Sequence, residues 1–160
     1  MMSLLAKVWR KLSFSKLLQL RIMRIFNDEF LIGVTGIIFD KDDKILLVKH
    51  TYRKVKWGLP GGYLKAKEYP TEGLERELEE ETGLLVSADR LFKLRTDRET
   101  GRLDLCYIGV YIGGIFKKSS EVDEYGLFSE DELPDIMRDQ VLLIHEAIAY
   151  RKKKSMMKHP

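Results

Sequence analysis

The chain has 160 residues, 44% of them hydrophobic, which suits one domain with an ordinary core and is too short for several. Its one cysteine, Cys106, excludes an internal disulfide and suits a reducing, cytoplasmic setting. The net charge of +3 conceals an asymmetry: residues 1–26 and 151–160 hold basic residues and no acid, which leaves 27–150 with a net charge of −8.

Residues 1–26 read as a basic helical arm. Leu5, Val8, Trp9 and Leu12 share one apolar face, and Leu17, Leu18, Ile22 and Ile25 share another, with Ser13 or Ser15 as a cap between them. No apolar run there is long enough to span a bilayer. A secretory signal fits poorly, because charges interrupt the apolar stretch. Packing on the domain or on a second copy in a homodimer is favoured over docking on a membrane surface. Residues 27–150 form the expected domain, and 151–160 a basic tail.

Phe30–Phe39 reads as a strand, Asp40–Asp43 as a turn, and Lys44–Lys49 as the returning strand of a hairpin. A basic loop follows, holding Tyr52, Arg53, Lys54 and Lys56 before Trp57, which is expected to pack beneath it. Pro60, Gly61 and Gly62 give a backbone that turns sharply and leaves room for a ligand. Thr71 or Glu72 starts a helix, with Pro70 at its edge, and Gly83 fits a left-handed stop. Gly73 within that helix suggests close packing against another backbone. Leu84–Val86 and Leu91–Arg95 read as short strands, Glu99–Gly101 as a hairpin turn, and Leu103–Tyr111 as a central strand burying Cys106. Tyr125–Phe128 is a last strand. Asp135–Arg151 is a closing helix with Ile136, Val141, Ile144 and Ile148 near one face. This order predicts a mixed sheet covered by helices.

The chemistry concentrates between residues 59 and 84. Glu77, Glu80 and Glu81 lie within one turn of a helix, where like charges repel. A divalent cation reverses that repulsion, and Mg2+ takes a few carboxylates together with substrate phosphates. Gly62, Glu68, Arg76, Glu77, Leu78, Glu80, Glu81, Gly83 and Leu84 span 23 residues and resemble, at every fixed position, the signature of Nudix hydrolases. Lys65 and Lys67 depart from it locally, where relatives often carry an acid and a glycine. The resemblance implies an α/β/α sandwich. It implies metal ligation by Glu77 and Glu81, with Glu80 and the Gly61 carbonyl as further ligands. Arg76 is implied to aim a glutamate in the catalytic group, and Glu68 to support it. The ion implied is Mg2+, with Mn2+ as the alternative.

The stretch Glu121–Ser129 is similar to the second acidic segment of that family, in which an acid binds metal or acts as base. Leu127 occupies the usual tryptophan position, and Glu121 is preferred to Glu124. Arg53 and Lys56 are candidates for substrate phosphates, and Tyr52 and Tyr63 for stacking on a base. His50 and His145 stand apart from any catalytic spacing and are expected to be structural.

The reaction expected is metal-dependent hydrolysis of a diphosphate bond in a nucleoside diphosphate linked to another group. A non-catalytic nucleotide sensor would have lost signature acids, and this chain keeps them all. An RNA-directed pyrophosphohydrolase ranks lower, because no nucleic-acid-binding module accompanies the basic ends. The proline that ADP-ribose hydrolases carry some fifteen residues past the signature is absent, as is the tyrosine of diadenosine polyphosphate hydrolases.

Overall fold

The computed structural model describes residue 25, residues 30–97 and residues 100–157. The amphipathic arm therefore lies outside the described residues except for Ile25, and the turn residue Glu99 lies outside them too. No described helix is long and apolar enough to cross a membrane.

Among the described residues, seven strands form one mixed sheet. They are β1 (Leu31–Phe39), β2 (Ile45–His50), β3 (Trp57–Gly58), β4 (Gly61–Tyr63), β5 (Leu84–Asp97), β6 (Arg102–Gly114) and β7 (Val122–Phe128). Helix α1 (Pro70–Thr82) lies between β4 and β5, and α2 (Arg138–Met156) closes the chain. The path through the sheet is β3-β2-β1-β6-β5, with β4 on β1 and β7 on β2.

Strand alternation explains the layering. Ile37 and Phe39 of β1, Ile45 and Leu47 of β2, and Cys106 and Ile108 of β6 join one core with Leu143, Ile144 and Ala147 of α2. Their alternates Val34, Ile38, Leu46 and Tyr107 join a second core with Leu74 and Leu78 of α1. Side chains of successive strand residues point to opposite faces, so these strands are apolar on both sides and read as continuous runs. The result is the expected α/β/α sandwich.

Five local expectations are corrected. The β1–β2 hairpin is joined only at Phe39 and Ile45. Over its full length β1 pairs with β6 in parallel, from Leu31 opposite Arg102 to Phe39 opposite Val110, and its other edge is shared by β4 and β2. The two short strands after the signature are one strand, β5, broken in register after Leu85, Ala88 and Leu91; bulges interrupt its alternation and disguise its length. Helix α1 starts at Pro70, with Tyr69 as its cap residue and the Glu72 carboxylate accepting from the Tyr69 N–H at 2.9 Å. The atoms nearest a Cβ on Gly73 would be those of side chains, Leu64 Cδ2 at 2.5 Å and Glu68 Oε1 at 2.9 Å, rather than another backbone. Helix α2 begins only at Arg138 and runs on through Lys152–Lys154, residues that charge alone assigns to a tail.

Candidate active site

Gly61 and Gly62 lie antiparallel to β1, opposite Thr35 and Val34. Neither position has room for a side chain. A Cβ on Gly61 would stand 2.1 Å from the Val34 carbonyl oxygen, and one on Gly62 would stand 2.4 Å from the Glu77 carboxyl carbon. The two glycines thus let the loop lie on β1 and let Glu77 lie on the loop. Gly83 ends α1 in the left-handed region, with φ of 71° and its N–H bonded to the Glu79 carbonyl.

Arg76 gathers the acids of α1. Its Nε and Nη2 donate to the two oxygens of Glu68 at 2.9 and 2.8 Å, and Nη1 donates to Glu77 at 2.7 Å and Glu80 at 2.9 Å. Nη2 also reaches the Tyr63 carbonyl at 3.3 Å. The Arg76 hydrogen bond, seconded by the Lys65 N–H, pulls Glu68 down to about 2. Arg76 therefore ties three carboxylates together and fixes their positions.

A cavity of about 420 Å3 opens beside this hub, lined by Gly61, Gly62, Glu77, Glu81 and Glu121 together with Tyr52, Arg53 and Tyr63. Glu81 is pushed up to about 7, first by burial and then by the Glu121 and Glu77 carboxylates. That mutual repulsion shows three acids from two separate segments sharing one space. Arg53 offsets part of it and has no carboxylate partner among the described residues.

Not every candidate reaches the cavity. Glu80 is outside its lining; Lys65 holds it at 3.1 Å and Arg76 at 2.9 Å, and those two cations lower its pKa. The departure at Lys65 thus supplies Glu80 with a partner. Lys56 is exposed and absent from the lining. Glu124 sits across from Lys49 on β2 and pairs with it at 2.8 Å, whereas Glu121 lines the cavity. Trp57 packs edge-on against Phe128 at 5.1 Å. His50 is buried at 1% exposure, and neither of its ring nitrogens has a partner among the described residues. Cys106 is fully buried, and burial raises its thiol to about 12, so it is no nucleophile.

Sequence reasoning missed Arg102, Gln140 and Thr35, which also line this cavity. Their positions depend on the β1–β6 pairing and on the start of α2, which no local pattern announces.

The donor set suits a hard divalent cation. Glu77, Glu81 and Glu121 supply oxygens, and their repulsion is the kind that such an ion relieves. Among the described residues, no group of three or more His, Cys, Asp or Glu side chains already stands at metal-holding distances. Mg2+ does not require one, since it usually keeps waters and substrate phosphates as ligands.

A model of the NUDIX domain matches residues 29–154. The chain belongs to the NUDIX family. Its reaction class is hydrolysis of pyrophosphate bonds. An ADP-ribose pyrophosphatase of Methanocaldococcus jannaschii is 31% identical over 126 residues, covering 75% of this chain and 74% of that protein. A MutT-like protein of Streptomyces ambofaciens is 30% identical over 108 residues, covering 68% and 70%. Among solved structures, an ADP-ribose pyrophosphatase of Streptococcus suis aligns with a TM-score of 0.63 at 29% identity, covering 74% of this chain and 92% of that one.

Proposed function

We propose that this NUDIX protein hydrolyses a nucleoside diphosphate linked to a second group, with Mg2+ or Mn2+ held by Glu77, Glu81 and Glu121 and the Gly61 carbonyl. The observation that carries the reading is the convergence of Glu77 and Glu81 from α1 with Glu121 from the segment before β7 on one cavity that Arg53 also lines. When bound, the metal neutralises diphosphate charge and makes water a better nucleophile at neutral pH.

The chain's own residues do the rest. Arg53 donates to phosphate oxygens and draws the anionic substrate toward the acids. Glu121 takes the proton from the attacking water. Water adds at one phosphorus, the bridging P–O bond breaks, and two phosphorylated products leave with no covalent enzyme intermediate. Arg76 keeps Glu77 in place through its bonds to Glu68 and Glu80, so Glu80 serves as part of the anchor. Tyr52 and Tyr63, both half-exposed or more at the cavity mouth, offer rings to the base.

The relatives named for ADP-ribose make that compound the first to test, although the proline of the sequence pattern is missing. The experiment is hydrolysis of a panel of nucleoside diphosphate derivatives in 18O-water with Mg2+ or Mn2+. One product phosphoryl group is expected to carry the label, and excess chelator is expected to abolish turnover. Inertness of the whole panel with both metals, or full activity in chelator, would overturn the reading.

A further inference from the structure

Helix α2 advances along β6 as it runs. Its Asp139 bonds Arg95, which stands opposite Asp104. Glu146 bonds Lys93, opposite Cys106, and Tyr150 lies under Arg90, opposite Ile108. The helix then ends at Met156, while β6 continues to Gly114. We propose that the strip of sheet beyond the helix end, Leu85, Val110 and Ile112, docks the protein on an anionic membrane surface together with Met156 and Met157, with Arg90, Lys153 and Lys154 as its cationic border.

The strip is apolar and open. Successive strand residues point to opposite faces. Ile108 packs with the α2 core, and Tyr107 and Tyr111 with the α1 core, so Val110 and Ile112 turn to the α2 side. Leu85 turns there too, because Leu84 and Val86 on either side of it pack with α1. Phe39, the last residue of β1, pairs with Val110, so β1 does not flank Ile112. Leu85 and Val110 are exposed, Ile112 is 64% exposed, and Met156 and Met157 are 76% and 75% exposed.

The border is cationic. A cavity of about 290 Å3 between β5 and α2 is lined by Arg90, Arg151 and Lys154 against one carboxylate, Asp89. Arg151 is tied to Asp43 at 2.6 Å, and Lys152 reaches Glu130 at 3.5 Å. Lys153 and Lys154 are exposed and hold no carboxylate among the described residues. Lysines in the last turn of a helix also favour its dipole, which accounts for the charge but not for the open apolar side chains beside it.

An anionic bilayer satisfies both halves of this surface. Aliphatic side chains enter the boundary between headgroups and acyl chains, and lysine and arginine meet the lipid phosphates. A protein partner fits less well, because protein interfaces are rich in aromatic residues and poor in lysine. Leu85, Val110, Ile112, Met156 and Met157 include no ring, and lysines stand beside them. None of these residues lines the cavity of Glu77, Glu81 and Glu121, so the docking is independent of the proposed reaction.

The test floats the full-length protein with vesicles of phosphatidylcholine alone and with vesicles containing about 30% phosphatidylserine. The anionic vesicles are expected to bind roughly tenfold more tightly, and high salt is expected to erase the preference. Ile112→Ser is expected to weaken binding to anionic vesicles roughly tenfold, and so is the double variant Lys153→Glu with Lys154→Glu. Both are expected to unfold at nearly the wild-type temperature, because the replaced side chains are exposed. Failure of the wild type to bind anionic vesicles would overturn the proposal. Wild-type binding by either variant would also overturn it and move the contact to other residues, the basic arm first among them. A dimer that Ile112→Ser dissociates in sedimentation equilibrium, with no vesicle binding, would overturn it too and give the face to a second copy.

Discussion

Two titratable residues, the half-buried Glu81 and the buried His50, give the stability of the metal-free protein opposite dependences on pH. Glu81 is raised to about 7, so between about 4.5 and 7 the folded state holds a proton that the unfolded state has lost. Stability therefore falls as pH rises through that window. His50 is lowered to about 4, chiefly by burial and then by Arg53, so between 4 and 6.5 the unfolded state holds the extra proton. Its contribution rises with pH, present in full above 6.5 and lost as pH falls through 4. Urea unfolding in EDTA at a series of pH values separates the two. Glu81→Gln is expected to remove the falling slope, and His50→Leu the rising one. A Glu81→Gln curve parallel to wild type from pH 5 to 7 would rule out the strained carboxylate. With Mg2+, the same Glu81→Gln protein is expected to lose roughly 10^2- to 10^4-fold in rate, about 2.7 to 5.5 kcal/mol of barrier. Lys67 gives a further prediction. Its φ of 75° is a glycine's conformation held by a lysine. A side chain there costs about 1–2 kcal/mol, and glycine's extra unfolded-state freedom returns about 0.5–1 of it. Lys67→Gly is expected to raise unfolding stability by about 0.5 kcal/mol.

Among the elements, the junction of β4 with β1 and α1 is where small substitutions divide stability from activity. Alanine at Gly61 collides with the Val34 carbonyl and must push β4 away from β1. A loss of roughly 1–3 kcal/mol, the range for overpacking, is expected by denaturant titration. Alanine at Gly62 collides with a side chain, that of Glu77, which can swing aside. Gly62→Ala is therefore expected to fold nearly as well as wild type while turning over much more slowly. Equal losses of stability in both variants would contradict this division. The glycines and α1 were legible because the signature ties each residue to a position on one loop and one helix. The two-sided strands were legible from their continuous apolar runs. Bulges hid the length of β5. Pairing partners far apart in sequence hid the β1–β6 ladder, and with it Thr35, Asp104 and Arg102. Arg53 and Lys56 stood level as loop cations, because only the path of the loop decides which one reaches the cavity. The shift of Glu80 onto Lys65 was hidden too, because a one-dimensional spacing cannot show which of three neighbouring carboxylates turns away.

For the whole molecule, the acidic body and the crowded carboxylates lead to the expectation that a divalent cation is a stabilising ligand as well as a cofactor of the proposed reaction. A ligand that binds only the folded state at a hundred times its Kd adds about 2.7 kcal/mol. Thermal unfolding is expected to move upward with Mg2+ and return in chelator, and the shift is expected to shrink in Glu81→Gln. An unfolding temperature indifferent to Mg2+ and Mn2+ would speak against ligation by Glu77, Glu81 and Glu121.

The parallel ladder between β1 and β6 also sets an order of events in time. Leu31 pairs with Arg102, 71 residues later, and the other rungs are equally distant. Closing so long a loop costs entropy before any rung repays it, and chains rich in distant pairings fold in milliseconds to seconds. Until β6 has been made, β1 lacks its one full-length neighbour, and the glycine loop that rests on β1 has no firm base. Glu121 is synthesised later still. A chain leaving the ribosome therefore completes its cleft only after Glu121 has emerged, and until then its Glu77 and Glu81 wait on a helix whose third carboxylate partner does not yet exist. Pulsed hydrogen exchange during refolding is expected to show the amides of β1 and β6 becoming protected together. Early protection of β1 alone would refute that order.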